Sequence, residues 1–528
     1  MATTRESLDD FLRPLRVDTP TLHRLAQKFC ATYTSLAAKS DDQFLSTPIS
    51  DSVLRSSGEA EGRYLAIDIG GTNLRVGFIE LSGNKLARTK NGVLVTELNV
   101  EEVSRAPNCI ETKWSIEEQL KLNNAEDLFN WIGKCMADEV EDDYKKWPRE
   151  IPETIPLGVT FSFPISQHTL SDATVMAMGK GFAIPENLDL GKQLCLGYEK
   201  ARKPQIPKIE ITAIANDTVS TLVSFTYQYG NNPRKRPAMG LIVGTGCNAT
   251  IPMALNKLHP SKRPTKVKVL DGSDADQDLK IAVNTEWTIK GAAAPLRELN
   301  LITPWDQILD RECEAPGFQP FEFMTAGRYL GELGRIIILD YFTNHLHIPS
   351  SHLPLKLTQR QGLTTTFLGN LGPHLAEIEP SIVKQLQKEL PPPGPSWQWT
   401  DESAAIVYAI ANALEVRGAG MIAAAVIGLL GCADEIHLSS PDGVPNGNSL
   451  PNIKPPDVDE LLVGYTGGCI LHFQDYLQDC QDFLDKIMTA EFGDEEGVPR
   501  VVLQPCHNGG IIGAGILAGT VQSVAHDT

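Results

Sequence analysis

No two of the ten cysteines stand as a Cys-x-x-Cys pair, and none shares a metal-ligand spacing with the histidines. That excludes a zinc ribbon or a dithiol redox motif and reads as free thiols in a reducing compartment. Positive charge is scarce: 47 lysines and arginines against 66 aspartates and glutamates leave a net charge of −19. No nucleic-acid or anionic-membrane partner is expected of such a chain. Residues 1–15 mix charged and apolar side chains without a continuous apolar core, so no secretory signal is read there. The most apolar stretch, 404–432, is interrupted by Glu415 and Arg417, and its second half, Met421 to Leu430, is too short to span a bilayer. A buried helix is expected there, in a soluble, cytoplasmic protein. Walker A loops and dinucleotide fingerprints are missing too, since the glycine turns that are present lie between strands and not before helices.

What is present begins at residue 64. An apolar strand, Tyr64 to Ile67, carries Asp68 and breaks into Gly70, Gly71, Thr72, Asn73 and Arg75 before a second strand at Val76 to Ile79. Two glycines let the backbone approach an anion closely, and the turn's N–H groups suit phosphate oxygens. Thr72 adds a hydroxyl, Arg75 a fixed positive charge, and Asp68 a carboxylate able to hold a magnesium ion, directly or through water. An ordinary glycine turn beside a surface arginine is the alternative. A second strand and turn, Gly240 to Val243 followed by Gly244, Thr245 and Gly246, repeats the pattern and leaves Asn248 to face another ligand. Two such hairpin turns suggest two similar domains facing each other across a cleft, the architecture of the actin-like ATPases.

With those turns in place the chain resembles the eukaryotic hexokinases over about residues 64–518. The motifs follow in family order: Asp68 to Arg75, Thr160-Phe-Ser-Phe-Pro164, Met178-Gly-Lys-Gly-Phe182, Asn216-Asp-Thr218, Gly244 to Asn248, Asn284-Thr-Glu-Trp287, and Pro316 through Glu322 to Leu333. Three departures stand out. Met178-Gly179 replaces the family's Trp-Thr, removing a threonine that contacts sugar. Thr288-Ile-Lys-Gly291 replaces the family's glycine after Trp287. Near the adenosine, Thr466-Gly467-Gly468 and Asn508-Gly-Gly-Ile511 replace Asp-Gly-Ser and Asp-Gly-Ser-Gly.

The resemblance implies an α/β, two-domain actin-like (ribonuclease H-like) fold with a cleft, and an ATP-dependent, Mg2+-requiring transfer to the 6-hydroxyl of a hexose. Asp217 is then the general base and Lys180 the cation that contacts the sugar and offsets developing charge. On local sequence alone Asp217 reads better as a helix cap and Lys180 as a solvated turn lysine; the other motifs reverse that. Ser162, Asn216, Asn248, Glu286, Gln319 and Glu322 fall to the sugar, since amides and carboxylates pair with adjacent hydroxyls. Asp68, Gly70, Gly71, Thr72, Asn73, Arg75, Gly244, Thr245, Gly246, Gly467 and Gly468 fall to the nucleotide, with Asp68 toward the metal. Space at Gly179 slightly favours N-acetylglucosamine over glucose. A sugar-binding regulator with little activity is the reading from another class, supported by the altered nucleotide loops.

The expected organisation is a helical leader over 1–61, a small domain over 62–215, a large domain over 216–511 and a C-terminal helix over 512–528 returning to the small domain. Helices are expected at 21–37, 218–227 and 321–345. Surface insertions are expected at 259–276, 390–397 and 440–456. Cys247, inside the second turn, reads as an apolar filler.

Overall fold

The computed structural model describes residues 8–56, 61–82, 108–117, 120, 124–176, 184–230, 232–267, 279–372, 380–440 and 458–526. Its strands in chain order are β1 (Leu45–Ser50), β2 (Glu61–Ile69), β3 (Asn73–Ser82), β4 (Asn108–Ser115), β5 (Thr154–Phe161), β6 (Ile165–Ser166), β7 (Thr174–Val175), β8 (Lys208–Asn216), β9 (Lys235–Val243), β10 (Cys247–Ala254), β11 (Lys280–Asn284), β12 (Glu460–Thr466) and β13 (Arg500–Pro505).

Two sheets repeat one topology. The small lobe has the order β4-β3-β2-β5-β8, and the large lobe β1-β11-β10-β9-β12-β13. In each, three antiparallel strands (β2, β3, β4 or β9, β10, β11) are followed by two that join in parallel, β5 and β8 or β12 and β13. The first strand of each meander ends in one of the two glycine turns. Register then matters: Ile69 pairs with Phe161 and Phe161 with Asn216, so the ends of β2, β5 and β8 stand in one row.

Helices Ala125–Lys146 and Leu190–Ala201 share an apolar cluster with the small sheet. Helix Gly509–His526 contacts β2, β3, β5 and β8 and lies against helix Asp217–Tyr229, which contacts β9 and β10. These elements share a third cluster, in which Ala66, Ala213, Val219, Leu222, Ala282 and Ile511 to Ala518 meet. Apolar side chains of both sheets are thus buried together.

The leader is part of the large lobe. Asp18 caps helix Thr19–Lys39, accepting from Thr21 N at 2.9 Å, and Leu22, Leu25, Ala26, Phe29 and Tyr33 recur at helical spacing on its buried face. That face meets helix Asp401–Cys432. The buried helix expected over 421–430 is present and longer than expected, running unbroken through Glu415 and Arg417 for 32 residues. By length and composition it would cross a membrane, but 89% of its most apolar window is buried inside the protein. Arg417 is accommodated by a bidentate pair with Asp306, at 2.9 and 2.8 Å. Burial and the neighbouring Asp479 and Asp475 push the Glu415 carboxyl up to about 9.

The helix expected over 321–345 is also corrected. Pro320–Thr325 and Gly327–Asp340 are separate helices, followed by a π-helical turn at Tyr341–His345. The break at Ala326 lets Gly327 N and Arg328 N donate to the carbonyls of Gly244 and Thr245, at 2.8 and 3.1 Å. Continuing the helix would forfeit both bonds to the second glycine turn. Of the expected insertions, 259–267 packs on the leader, where Lys262 Nζ donates to Gln43 O at 2.9 Å; 268–276 and 441–456 lie outside the described residues.

Candidate active site

The first turn is built by strand pairing. Asp68 on β2 stands opposite Arg75 on β3, and Gly70 N donates to Asn73 O at 2.9 Å. Thr72 sits at the tip, its hydroxyl accepting from Asn73 Nδ2 at 3.0 Å, and its carbonyl accepts from Ile116 N at 2.9 Å. Arg75 Nη1 donates to Asn508 Oδ1 at 3.1 Å. Asp68 lies against the start of the last helix: a Cβ on Gly510 would stand 2.6 Å from its Oδ2. Burial pushes the Asp68 carboxyl up to about 7 despite Arg75, and the carboxylates of Asp217 and Glu111 push the same way. Burial and like charges both disfavour the ionised form, and a bound cation would reverse that. Among the described residues no three His, Cys, Asp or Glu side chains cluster as a metal cage.

Beside this turn the row of strand ends continues. Ser162 follows β5, its N–H donating to Ile69 O at 3.0 Å. Asn216 ends β8 and caps the next helix, with Oδ1 accepting from Thr218 N at 2.9 Å and from Thr218 Oγ1 at 2.7 Å. The cap is therefore Asn216, and Asp217 is the first helical residue. An anion is favoured there by the helix dipole. Thr218 and Thr250 share a hydrogen bond of 2.7 Å, which ties this helix start to β10 of the other sheet.

On that side Asn248, Asn284 and Glu286 form a closed triangle. Asn248 Nδ2 donates to Asn284 Oδ1 at 2.8 Å and to Glu286 Oε1 at 3.1 Å, while Asn284 Nδ2 donates to the same Oε1 at 2.9 Å. Glu286 has φ +46°, a left-handed conformation that a glutamate adopts only under constraint. The constraint comes from the leader: Gln43 Nε2 donates to Glu286 O at 2.8 Å, and Phe44 N to Thr285 O at 3.0 Å. Gly291 leaves room for Gln43, since a Cβ there would fall 2.0 Å from Gln43 Oε1. Glu322, in the first turn of its helix, lies against Gly246, whose Cβ would stand 3.3 Å from Oε1. Gln319 Nε2 donates to the Tyr329 hydroxyl. Cys247 is buried and burial holds its thiol protonated, as suits a filler.

The second turn closes with Gly244 N donating to Gly246 O at 2.9 Å. Gly467 follows β12 with φ +123°, and a Cβ there would meet Val243 O at 2.3 Å. Glycine is thus required where the 466–468 loop lies on the 243–244 backbone. Gly468 begins the short helix Gly468–His472. Gly179 and Lys180 lie outside the described residues.

The sequence reading missed Gln43, Asn284, Gly291 and Asn508 as partners of the site. Asn284 and Asn508 stand in quoted motifs, so their type and place were visible; Gln43 carries no local signal.

Comparison with known proteins gives one consistent result. A family model described as Hexokinase matches residues 7–227, and another, also described as Hexokinase, matches residues 238–520. The hexokinase of Kluyveromyces lactis is 31% identical over 289 residues, 54% of this chain and 51% of that protein. Hexokinase-1 of Nicotiana tabacum is 26% identical over 472 residues, 89% of this chain and 82% of that protein. The chain spans about half the length of the yeast relatives it matches. Among solved structures, a Schistosoma mansoni hexokinase complexed with glucose superposes with a TM-score of 0.73 at 23% identity, covering 98% of each chain.

Proposed function

The chain belongs to the hexokinase family, and on that premise we propose that it transfers the terminal phosphoryl group of ATP to the 6-hydroxyl of a hexose. The observation that carries this reading is the place of Asp217. It heads a helix between the Asp68 turn and the Asn248–Asn284–Glu286 triangle.

In this reading Asp217 takes the proton of the sugar hydroxyl as that oxygen attacks phosphorus. Asn248, Glu286 and Glu322 hold the sugar ring, and the amide triangle aims the Glu286 carboxylate before any ligand arrives. Arg75 and the turn at Gly70 to Asn73 face the phosphates, with the 244–246 and 467–468 backbones serving the rest of the nucleotide. Lys180 is assigned to the sugar and to the charge that develops in transfer. A magnesium ion at Asp68 would supply charge neutralisation of the phosphates.

Glucose is the sugar this reading favours, because the schistosome structure of similar fold contains it. Preference for N-acetylglucosamine rests on Gly179 alone. The ten cysteines, all free in the structure, support placing the activity in a reducing compartment. A coupled assay with ATP and Mg2+ across glucose, fructose, mannose and N-acetylglucosamine tests the proposal. Turnover of at least one hexose, lost in Asp217→Asn, is expected; binding without turnover in the parent would favour the regulator instead.

A further inference from the structure

The turn after Trp287 carries a threonine, Thr288, that is 2% exposed. Its hydroxyl, Thr288 Oγ1, donates to Glu322 Oε2 at 3.1 Å. Both oxygens of that carboxylate lie near Gly246, where an added Cβ would stand 3.3 Å from Oε1 and 3.5 Å from Oε2. We propose that Thr288 is a positioning residue that fixes the Glu322 carboxylate as the acceptor of one ring hydroxyl of the substrate, and so sets discrimination among hexoses. This rests on the reading of the cleft as a hexose site.

The physical argument starts from the carboxylate. Ionised, it only accepts, and its terminal torsion is broad, so a glutamate without a donor samples many orientations. Glu322 is 6% exposed, where an unsatisfied oxygen is costly. Donation from Thr288 satisfies one oxygen and selects one orientation. Threonine suits this role because branching at Cβ restricts χ1, so the hydroxyl direction is set by the backbone.

That backbone is itself held. Trp287, fully buried, lies edge-on to Phe321 with centroids 6.2 Å apart and stacks at 6.2 Å with Tyr33. Phe321 in turn meets Phe29 edge-on at 5.3 Å. The residues preceding Thr288 and Glu322 are therefore anchored in one aromatic cluster with the leader helix. Their separation is fixed before a ligand binds, which is the condition for a preorganised acceptor.

Glu286 and Glu322 then form a pair of opposite design. Amides aim the first, and the Thr288 hydroxyl aims the second. A sugar epimer that moves the hydroxyl facing Glu322 finds a carboxylate unable to follow it.

The test compares the parent, Thr288→Val and Thr288→Ser in sugar binding by calorimetry and in kcat and KM for glucose and its monodeoxy analogues. Valine keeps the shape and removes the hydroxyl. Thr288→Val is expected to raise Kd and KM for glucose about tenfold, the scale of one bond to a charged acceptor. kcat and KM for ATP should stay within about twofold of the parent, and Thr288→Ser should recover most of the loss. The penalty should vanish for the one deoxyglucose lacking the hydroxyl that Glu322 accepts. If valine does not yield folded protein, Thr288→Ala replaces it in the same comparison. Equal affinity in parent and variant, an equal loss with serine, or one penalty for every analogue would overturn the proposal. A parent that binds and phosphorylates no hexose would instead remove the site reading and this proposal with it.

Discussion

Arg75 and Asn508, 433 positions apart in sequence, are joined by a hydrogen bond of 3.1 Å from guanidinium to side-chain carbonyl. A neutral amide holds the arginine in place without cancelling its charge. Asn508 pays for that role with φ +55°. Asn508→Gly removes the amide and relieves the backbone together, so any loss reports the bond. KM for ATP is expected to rise about three- to tenfold, as for one modest hydrogen bond, with KM for sugar unchanged. Steady-state kinetics with each substrate varied decides it; an unaltered KM for ATP would show the tether to be idle.

Asp217→Asn should lower kcat by about 10²–10⁴ with little change in sugar affinity, the range for a positioned general base. Asn216 remains to cap the helix, so melting temperature should hold. Near-parental turnover in the purified variant would remove Asp217 from the chemistry.

Gln43→Leu should weaken sugar binding although residue 43 belongs to the leader. The substitution leaves the Glu286 carbonyl without its 2.8 Å donor and releases a left-handed glutamate. Ile289 N still donates to that carbonyl at 3.4 Å, so the loss is that of one hydrogen bond, about 0.5–1.5 kcal/mol. Gly291→Ala should act alike from the other side, by displacing Gln43. Calorimetric titration checks both, and an unchanged Kd for sugar in both would refute the clamp.

Glu415 gives a pH prediction. Its carboxyl titrates near 4.5 ordinarily and at about 9 in the fold. Between those values the unfolded chain loses the proton while the folded one keeps it, so this group's contribution to stability falls as pH rises, by up to about 1.4 kcal/mol per unit. Glu415→Gln removes the titration. The Tm of the variant relative to the parent should climb steadily from pH 5.5 to 8.5; a constant difference would mean Glu415 is already ionised.

Strands β2 and β9 were legible because each meets a glycine turn at a sharp end of an apolar run, as at Asp68 to Thr72 and Val243 to Gly246. Motif residues such as Asp217 and Glu286 were legible through resemblance. Three kinds of feature were not. The break at Ala326 is set by carbonyls of Gly244 and Thr245, more than eighty residues away, and helical periodicity does not register them. The capping role passed from Asp217 to its neighbour because Asn216 ends β8 in extended conformation. Continuity of the 401–432 helix depended on Asp306, which pairs with Arg417 from a distant segment. Each was decided by a partner remote in sequence.

The third apolar cluster bears on how the fold can be divided. A chain severed between β8 and helix Asp217–Tyr229 would leave Ala213 and Ala215 on one fragment and Val219 and Leu222 on the other, each with half a cluster facing water. The lobes share a topology but are not interchangeable modules. Grafting one onto a relative requires carrying the matching surface of helix Gly509–His526 with it, and denaturation should proceed as a single cooperative event, not lobe by lobe.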